Sequence, residues 1–575
     1  MLKFLVYDDN GAPARDFRAD QAFLMGADEL PVQGAVRLDQ GVLSADRGSG
    51  APTAINVLFS VPGDIAGGSA GRFMLQTCLL ADRDEPYLLS LELARHRIML
   101  FLNKLEDWDL FELGSDHPVM VALESARLAY VRALSLYTPG SWASAPEADK
   151  VARQALSLAL AATQKLTLHQ AERGLVARAS GKAFERAAEH VANLTGERPA
   201  STPDACISGE AGVVHAGVAA LGVAASPTAF AEPLQRYVLA NCDFLAMPMR
   251  WVDLEPEEGS YAFSTTDRWI EWAVRSAKLP IVGGPLIDFR PSAVPEWLYI
   301  WENDYETLRE LVFEHVQAVV TRYRRTVGHW TVVSGLHANT HFRLSLEQIM
   351  DLTRICVQLI RRKLQPKARI AVEITQPWGD YHGFNRRSFP PLAYAETLSH
   401  ANVEFDSIAL RIQLGQPEPG QTTRDLTAIS TLLDRYALLE KPISVVLGVP
   451  SAPTNAGTSR RAATREEDDD LIAGGTSTGT PIPTGPTLPP DPGSLGDPWS
   501  DATQADWLAK AVAVCASKTF VRSICWQELM DPATGGSLPP EMPAGGLLTQ
   551  SGASKPAATR FAQMRQAIRD GKLPK

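Results

Sequence analysis

From about Ala205 onward, one unit recurs along the chain: a short apolar stretch followed by an amphipathic helical pattern. The apolar stretches expected to be strands are Val214–Val218, Phe244–Met247, Ile281–Gly283, Trp330–Val333, Ile370–Ile374, Ser407–Ile412, Ile443–Leu447 and Ile524–Trp526. Each is short, rich in β-branched or apolar residues, and bounded by turn-forming residues. Strands alternating with helices need a parallel sheet, because a parallel neighbour is reached only by a crossover. Eight such units are what a closed (β/α)8 barrel requires. In that fold the C-terminal ends of the strands carry the functional site, so those ends are where chemistry is sought.

The rest of the chain obeys other periods. Residues 1–82 read as a β-sandwich-like module: Val36–Asp39 and Val42–Ser44 alternate, and Ile55–Phe59 and Phe73–Thr77 are short apolar runs. Residues 83–200 switch to helical spacing, with the run ELARHRIMLFLNKLEDW and further helices over Val119–Leu136, Glu147–Leu175 and Lys182–Leu194. In that first run Glu92, Arg95, Arg97 and Lys104 read as a solvated charged face. GERPASTPD, Gly196–Asp204, reads as a linker to the barrel at 205–575. Residues 451–500 interrupt the last units with REEDDD and a Pro-, Gly- and Thr-rich tract, and read as a disordered insertion. The fold class is therefore α/β: a (β/α)8 TIM barrel preceded by an N-terminal β-sandwich-like module and a helical segment.

Composition narrows the partners. A net charge of −11 and a pI near 5.6 argue against nucleic acid, which requires a basic face to replace phosphate counterions. No apolar run is long enough to span a bilayer, so no membrane partner is expected. The N-terminus lacks the pattern of a secretory leader, which sets the expectation of a cytoplasmic protein with reduced thiols. The six cysteines form no CxxC pair, so neither a metal knuckle nor a disulfide framework is expected, and no cofactor is implied. His337 and His341 stand four apart, but without a third ligand nearby they read as loop residues rather than a metal site.

Several motifs then fall in one order. Arg250-Trp251 precedes Glu255-Pro256, Gly259-Ser260-Tyr261-Ala262-Phe263 and Asp267, and Gly283–Asp288 leads to Pro295-Glu296-Trp297. Arg322-Tyr323 precedes His329–Val333, and Ser407–Gln413, Lys441–Leu447, Val521–Trp526 and Gly546–Leu548 follow. In this order the motifs resemble glycoside hydrolase family 10, the β-1,4-xylanase family, over about Pro233 to Phe561. The resemblance implies a TIM barrel that binds an oligosaccharide or polysaccharide in a cleft at its mouth. It implies a retaining mechanism with two glutamates roughly 5 Å apart. Its acid/base falls at Gly335 and its nucleophile at Leu447, its two subsite histidines fall at Gly284 and Gln413, and its lysine falls at Arg250. The asparagine before the acid/base is Ser334. The frame is kept and its usual carboxylates are missing.

Three other acids fall at strand ends: Asp288, Glu373 and Glu528. They are the catalytic candidates if the carboxylates have moved, since a glycosidase needs one proton donor and one ionised partner. Each also has a structural reading: Glu373 pairing with Arg411 on the next strand, Asp288 bonding backbone or Arg290, and Glu528 capping a turn. Substrate contacts are expected from Arg250, Trp251, Trp297, Trp378, Tyr381, Arg411, Gln413 and Trp526, because sugar rings stack on aromatic planes. Trp251 and Trp526 read equally as packing, whereas Trp378 and Tyr381 are expected to be exposed. Three functions stay open: a non-catalytic glycan-binding barrel, an active glycosidase with relocated carboxylates, and an assembly scaffold.

Overall fold

The computed structural model describes residues 1–48, 50–63, 71–200, 206–207, 213–418, 420–453, 490–496, 498–532 and 542–574. Two small sheets come first. One holds β1 (Leu2–Leu5), β4 (Ala35–Asp39), β5 (Val42–Asp46) and β8 (Tyr87–Leu88). The other holds β2 (Phe23–Met25), β3 (Pro31–Val32), β6 (Ala54–Val61) and β7 (Gly71–Gln76). Leu2, Phe4, Leu43 and Ala45 of the first sheet pack against Ile55, Val57, Phe59, Phe73 and Leu75 of the second. Because side chains alternate along a strand, one face of each sheet builds this shared core. The first sheet runs past residue 82, since β8 pairs in parallel with β1.

Four helices follow: α1 (Leu89–Asp107), α2 (Pro118–Leu136), α3 (Ala145–Ala179) and α4 (Lys182–Thr195). Of the predicted charged face of α1, Arg97 and Lys104 are not solvated as the sequence suggested. Arg97 bonds Asp425 through both guanidinium nitrogens, and the Lys104 ammonium lies 3.1 Å from Asp434, so this face is the seam with the barrel. At the other end of the seam Arg178 donates to the carbonyls of Gly217, Ala516, Lys518 and Val521 at 2.7–3.0 Å. Buried carbonyls beyond a helix end need such donors.

The barrel is closed by eight parallel strands: β11 (Ala220–Ala224), β12 (Phe244–Met247), β13 (Ile281–Gly283), β15 (His329–Ser334), β16 (Arg369–Thr375), β17 (Ser407–Gln413), β18 (Ile443–Gly448) and β20 (Val521–Trp526). The short β14 (Ile287–Asp288) extends the edge of β15. Seven strands lie where their apolar runs predict. The first does not: Val214–His215 is β10, which pairs antiparallel with β9 (Cys206–Ile207), and the barrel strand begins at Ala220. The whole stretch VVHAGVAALGVAA is apolar, so periodicity could not fix its register. The register adopted sends Leu221 and Val223 into the main core and leaves the small Ala220 and Ala224 facing the axis.

The insertion is also corrected in part. Residues 454–489 lie outside the described residues, but Ser494–Leu495 forms β19, which pairs antiparallel with β7 of the N-terminal module. Asp491 fixes the approach by bonding Arg72 at 2.5 Å and Gln21 at 2.9 Å. No helix among the described residues is long and apolar enough to cross a membrane.

Candidate functional site at the barrel mouth

A cavity of about 810 Å3 occupies the barrel axis. Its upper lining comes from the C-terminal strand ends, where Arg250, Asp288, Arg290, Glu373, Arg411 and Glu528 meet. The three candidate carboxylates are thus brought to one cavity.

Two of them are bridged by arginine. Glu373 is buried, and its Oε1 accepts from the Ser334 hydroxyl at 2.6 Å and from Arg411 Nε at 2.7 Å. Its Oε2 accepts from Arg411 Nη2 at 3.2 Å, and Arg411 Nη1 reaches on to Gln527 Oε1. The pairing follows from register. Ser334 lies opposite Glu373, and Arg411 stands on the adjacent strand two residues above level, so all three project to the axis. Asp288 is likewise buried. Its Oδ1 accepts from the Arg290 amide and Nε at 3.0 Å each, and its Oδ2 accepts from Nε at 2.8 Å and from Nη2. A carboxylate whose lone pairs hold a guanidinium fork is a charge-compensated group, which is how a buried acid is normally tolerated. Glu528 is half-buried at the cavity wall. Arg250 binds Asp253 at 2.7 and 3.0 Å.

The positions that the resemblance assigns to the retaining pair are closed to carboxylates. Gly335 has φ 65°, and a Cβ there would lie 2.8 Å from Thr375 Oγ1. Leu447 is fully buried in the layer between the sheet and its helices and does not line the cavity. Gly284, where one subsite histidine falls, has φ 110° and would place a Cβ 2.1 Å from the Thr331 carbonyl oxygen. Gln413 is buried, its Nε2 has no hydrogen-bond partner among the described residues, and it does not line the cavity.

Within the aromatic set, the expected exposure of Tyr381 is corrected. None of Trp251, Trp297, Trp378, Tyr381 and Trp526 lines the cavity. Trp251 stacks on His315 with ring centroids 4.3 Å apart and donates to Glu255 at 2.8 Å, and Trp297 donates to the Glu255 carbonyl at 3.1 Å. Hydrogen bonds from His315, Gly259 and Trp251 hold the Glu255 carboxyl below its usual range although burial acts the other way. Trp526 donates to the Gly545 carbonyl at 3.0 Å. Tyr381, expected to be exposed, is buried and donates to the Phe389 carbonyl at 2.6 Å. Trp378 lies under Arg424, whose guanidinium carbon is 4.5 Å from the ring centroid and which also binds the buried Asp380. The cause is the N-terminal module, since Phe23 of β2 and Pro31 of β3 press onto Gly383 and Gly379 in this loop.

His337 does not face a ligand either. It is fully buried near the rings of Tyr381 and Tyr394, with Nε2 2.9 Å from the Thr375 carbonyl. Among the described residues no group of three His, Cys, Asp or Glu side chains could hold a metal ion.

Against this geometry, residues 213–349 match the sequence model of glycosyl hydrolase family 10. That segment contains the first four barrel strands and ends beyond Gly335. Over these residues the barrel is similar in sequence to glycoside hydrolase family 10. Endo-1,4-beta-xylanase B of Humicola insolens is 28% identical over 85 residues, which is 15% of this chain and 23% of the relative's length. Among solved structures, native xylanase 10B from Thermotoga maritima superposes with a TM-score of 0.43 at 15% identity, covering 60% of this chain and 95% of that one. Xylanase 10B from Thermotoga petrophila, solved in complex with xylobiose, gives 0.41 at 15% identity over 60% and 94% of the two chains.

Two features of this family 10-like barrel went unread in the sequence. One is the participation of Ser334 and Gln527 in the Glu373–Arg411 network. The other is the cavity itself, although its signal is present: Ile370-Ala371-Val372 and Ile408-Ala409-Leu410 alternate large with small, as do Ile443-Ser444-Val445 and Ile524-Cys525-Trp526.

Proposed function

We propose that this protein is a family 10-like barrel that binds a β-linked glycan at its mouth without retaining hydrolysis. One observation carries the reading: both buried carboxylates of the mouth are bridged by arginine, Glu373 by Arg411 and Asp288 by Arg290. Retaining hydrolysis needs one carboxyl with a proton to give and a second with a free lone pair aimed at the anomeric carbon. The bridged pair offers guanidinium N–H groups and amide oxygens instead, which suit hydroxyl recognition. The family match over residues 213–349 and the open cavity support a saccharide as ligand.

The test is hydrolysis of aryl β-xylosides, aryl β-glucosides and xylan by purified protein, with calorimetric titration of xylo-oligosaccharides alongside. Binding without turnover supports the reading. Turnover abolished by Glu528→Gln would overturn it in favour of a rewired glycosidase, the second reading that the place of Glu528 on the cavity wall favours. Restoring the family's acid by Gly335→Glu is expected to yield no activity and to cost about 1–2 kcal/mol, because the side chain must stand at positive φ.

A further inference from the structure

The cavity has a second polar end, at the starts of the strands. Alternate residues of a strand face the same side. Going down from the mouth, the residues that line the cavity are Glu373, Ala371 and Arg369 on β16 and Arg411, Ala409 and Ser407 on β17. The same descent reaches Ser444 on β18, Ser523 on β20 and His329 on β15. These five strands are neighbours in the sheet. Their registers bring the lowest residues into one arc: His329 lies opposite Arg369, Ser444 opposite Ser523, and Ser407 opposite Ala371, one inward step above Arg369. At mid-height the wall is apolar, where Phe244 packs with Ala224 and Cys525. The base is therefore chemically distinct from the mouth. Inward layers of such a barrel are normally bulky and branched; here the lowest one is made of hydroxyls, a guanidinium and an imidazole.

The arc is a set of donors. Ser523 Oγ donates to Ser444 Oγ at 2.9 Å, which leaves the Ser444 proton for another acceptor. The Ser407 hydroxyl has no hydrogen-bond partner among the described residues. The Arg369 guanidinium is half-exposed, and its contact with Asp406 is 4.0 Å, beyond hydrogen-bond reach. Two carboxylates share the base, and both are held by arginines that do not line the cavity. Asp406 accepts from Arg361 at 2.5 Å and from the Ile370 amide at 2.7 Å. Asp243 accepts from Arg565 at 2.9 Å, from Arg569 at 2.6 Å and from the Leu221 amide at 3.0 Å. Arg178, Arg522 and His215 complete the charged and titratable lining. With both carboxylates matched from outside, the base keeps an excess of positive charge. Donors from strands spaced roughly 5 Å apart arrive from several directions. That suits the oxygens of a tetrahedral anion better than the two coplanar oxygens of a carboxylate.

We infer that the base of the barrel is a binding site for a phosphate-class oxyanion, with Arg369 as the counter-charge and the Ser407, Ser444 and Ser523 hydroxyls as donors. It lies at the opposite end of the strands from the mouth and does not rest on the glycan reading. Two sources share this chemistry, free inorganic phosphate and the phosphoryl group of a phosphate monoester, and the experiment separates them.

The measurement is calorimetric titration of full-length protein with inorganic phosphate, glucose 6-phosphate and acetate, at an ionic strength fixed with chloride. The expected result is one phosphate bound per chain, with an affinity that xylo-oligosaccharides leave unchanged. Arg369→Gln, at a half-exposed position, is expected to weaken binding at least tenfold, and Ser444→Ala roughly tenfold. The anion selectivity of the wild type decides the matter even if a variant fails to fold. Glucose 6-phosphate bound at least as tightly as phosphate supports the site with a monoester as its ligand. Phosphate bound and glucose 6-phosphate refused supports it with the free ion. Acetate binding as tightly as phosphate would overturn the phosphate assignment. Saturable binding that both variants leave untouched, or that xylo-oligosaccharides displace, would place the anion elsewhere and overturn the base site. Absence of saturable phosphate binding would overturn it outright and leave the mouth reading intact.

Discussion

The two faces of the barrel sheet follow opposite rules. The outer face is large and closed: Leu221, Leu245, Trp330, Ile370, Leu410, Ile443 and Ile524 are buried in one continuous core with the surrounding helices. The inner face is small and open, and its few apolar contacts form a separate cluster around Ala224, Phe244 and Cys525. The same strands serve both, because successive side chains point to opposite sides. The stability of this barrel therefore resides in its outer layer, and its axis is left for polar chemistry and space. Catalytic barrels place their acids at the rim of a filled interior; here the interior itself is the unusual feature.

That contrast can be broken at several points. The largest effect is expected where the inner face does hold structure together. Glu373→Ala leaves the Arg411 guanidinium buried without its carboxylate and is expected to cost about 3–5 kcal/mol, read as a lowered urea midpoint at unchanged slope. A cost under ~1 kcal/mol would mean that Arg411 finds water in the cavity it lines. On the outer face, Leu410→Ala is expected to cost about 2–5 kcal/mol in the same assay, since its surroundings cannot collapse.

A smaller, pH-dependent effect is expected from His337. Burial pushes its pKa down from 6.5 to about 4. The native state therefore keeps the ring neutral while the unfolded chain takes up a proton first on acidification. The stability it secures is complete above pH 6.5 and is lost progressively as pH falls from 6.5 toward 4. Melting temperature measured across that window should fall less steeply in His337→Gln than in the wild type. Equal slopes would remove His337 from the account. The smallest effect belongs to the inner wall, where Ala409→Val is expected to change stability by less than ~1 kcal/mol because the added methyls enter open space. A loss like that of Leu410→Ala would show that the two faces are packed alike.

What the sequence revealed depended on how far apart the partners are. The strand–helix rhythm and the Glu373–Arg411 pair were legible because both are settled between neighbouring strands. The burial of Tyr381 and the half-burial of Trp378 were not, since Phe23 and Pro31, which cover that loop, stand some 350 residues away in the chain. Arg97 and Lys104 looked like a solvated stripe for the same reason: Asp425 and Asp434 are 328 and 330 residues distant. The first barrel strand slipped because an unbroken apolar run contains no register signal. Among the expected aromatic contacts, Trp251, Trp297, Tyr381 and Trp526 found a carbonyl, carboxylate or ring and Trp378 a guanidinium, an outcome that composition at a strand end does not distinguish from ligand binding.

The strand at Ser494–Leu495 has a consequence for how the chain is made. It completes the sheet edge of β7, which ends at Gln76, so the second N-terminal sheet waits for residues more than 400 positions downstream. At ordinary synthesis rates that interval is roughly 20–80 s. Throughout it the nascent chain presents an unpaired β7 edge, the kind of surface on which strands from other chains assemble. Final assembly of the N-terminal module is thereby coupled to synthesis of Ser494 and Leu495, and a product truncated before them would carry an open edge.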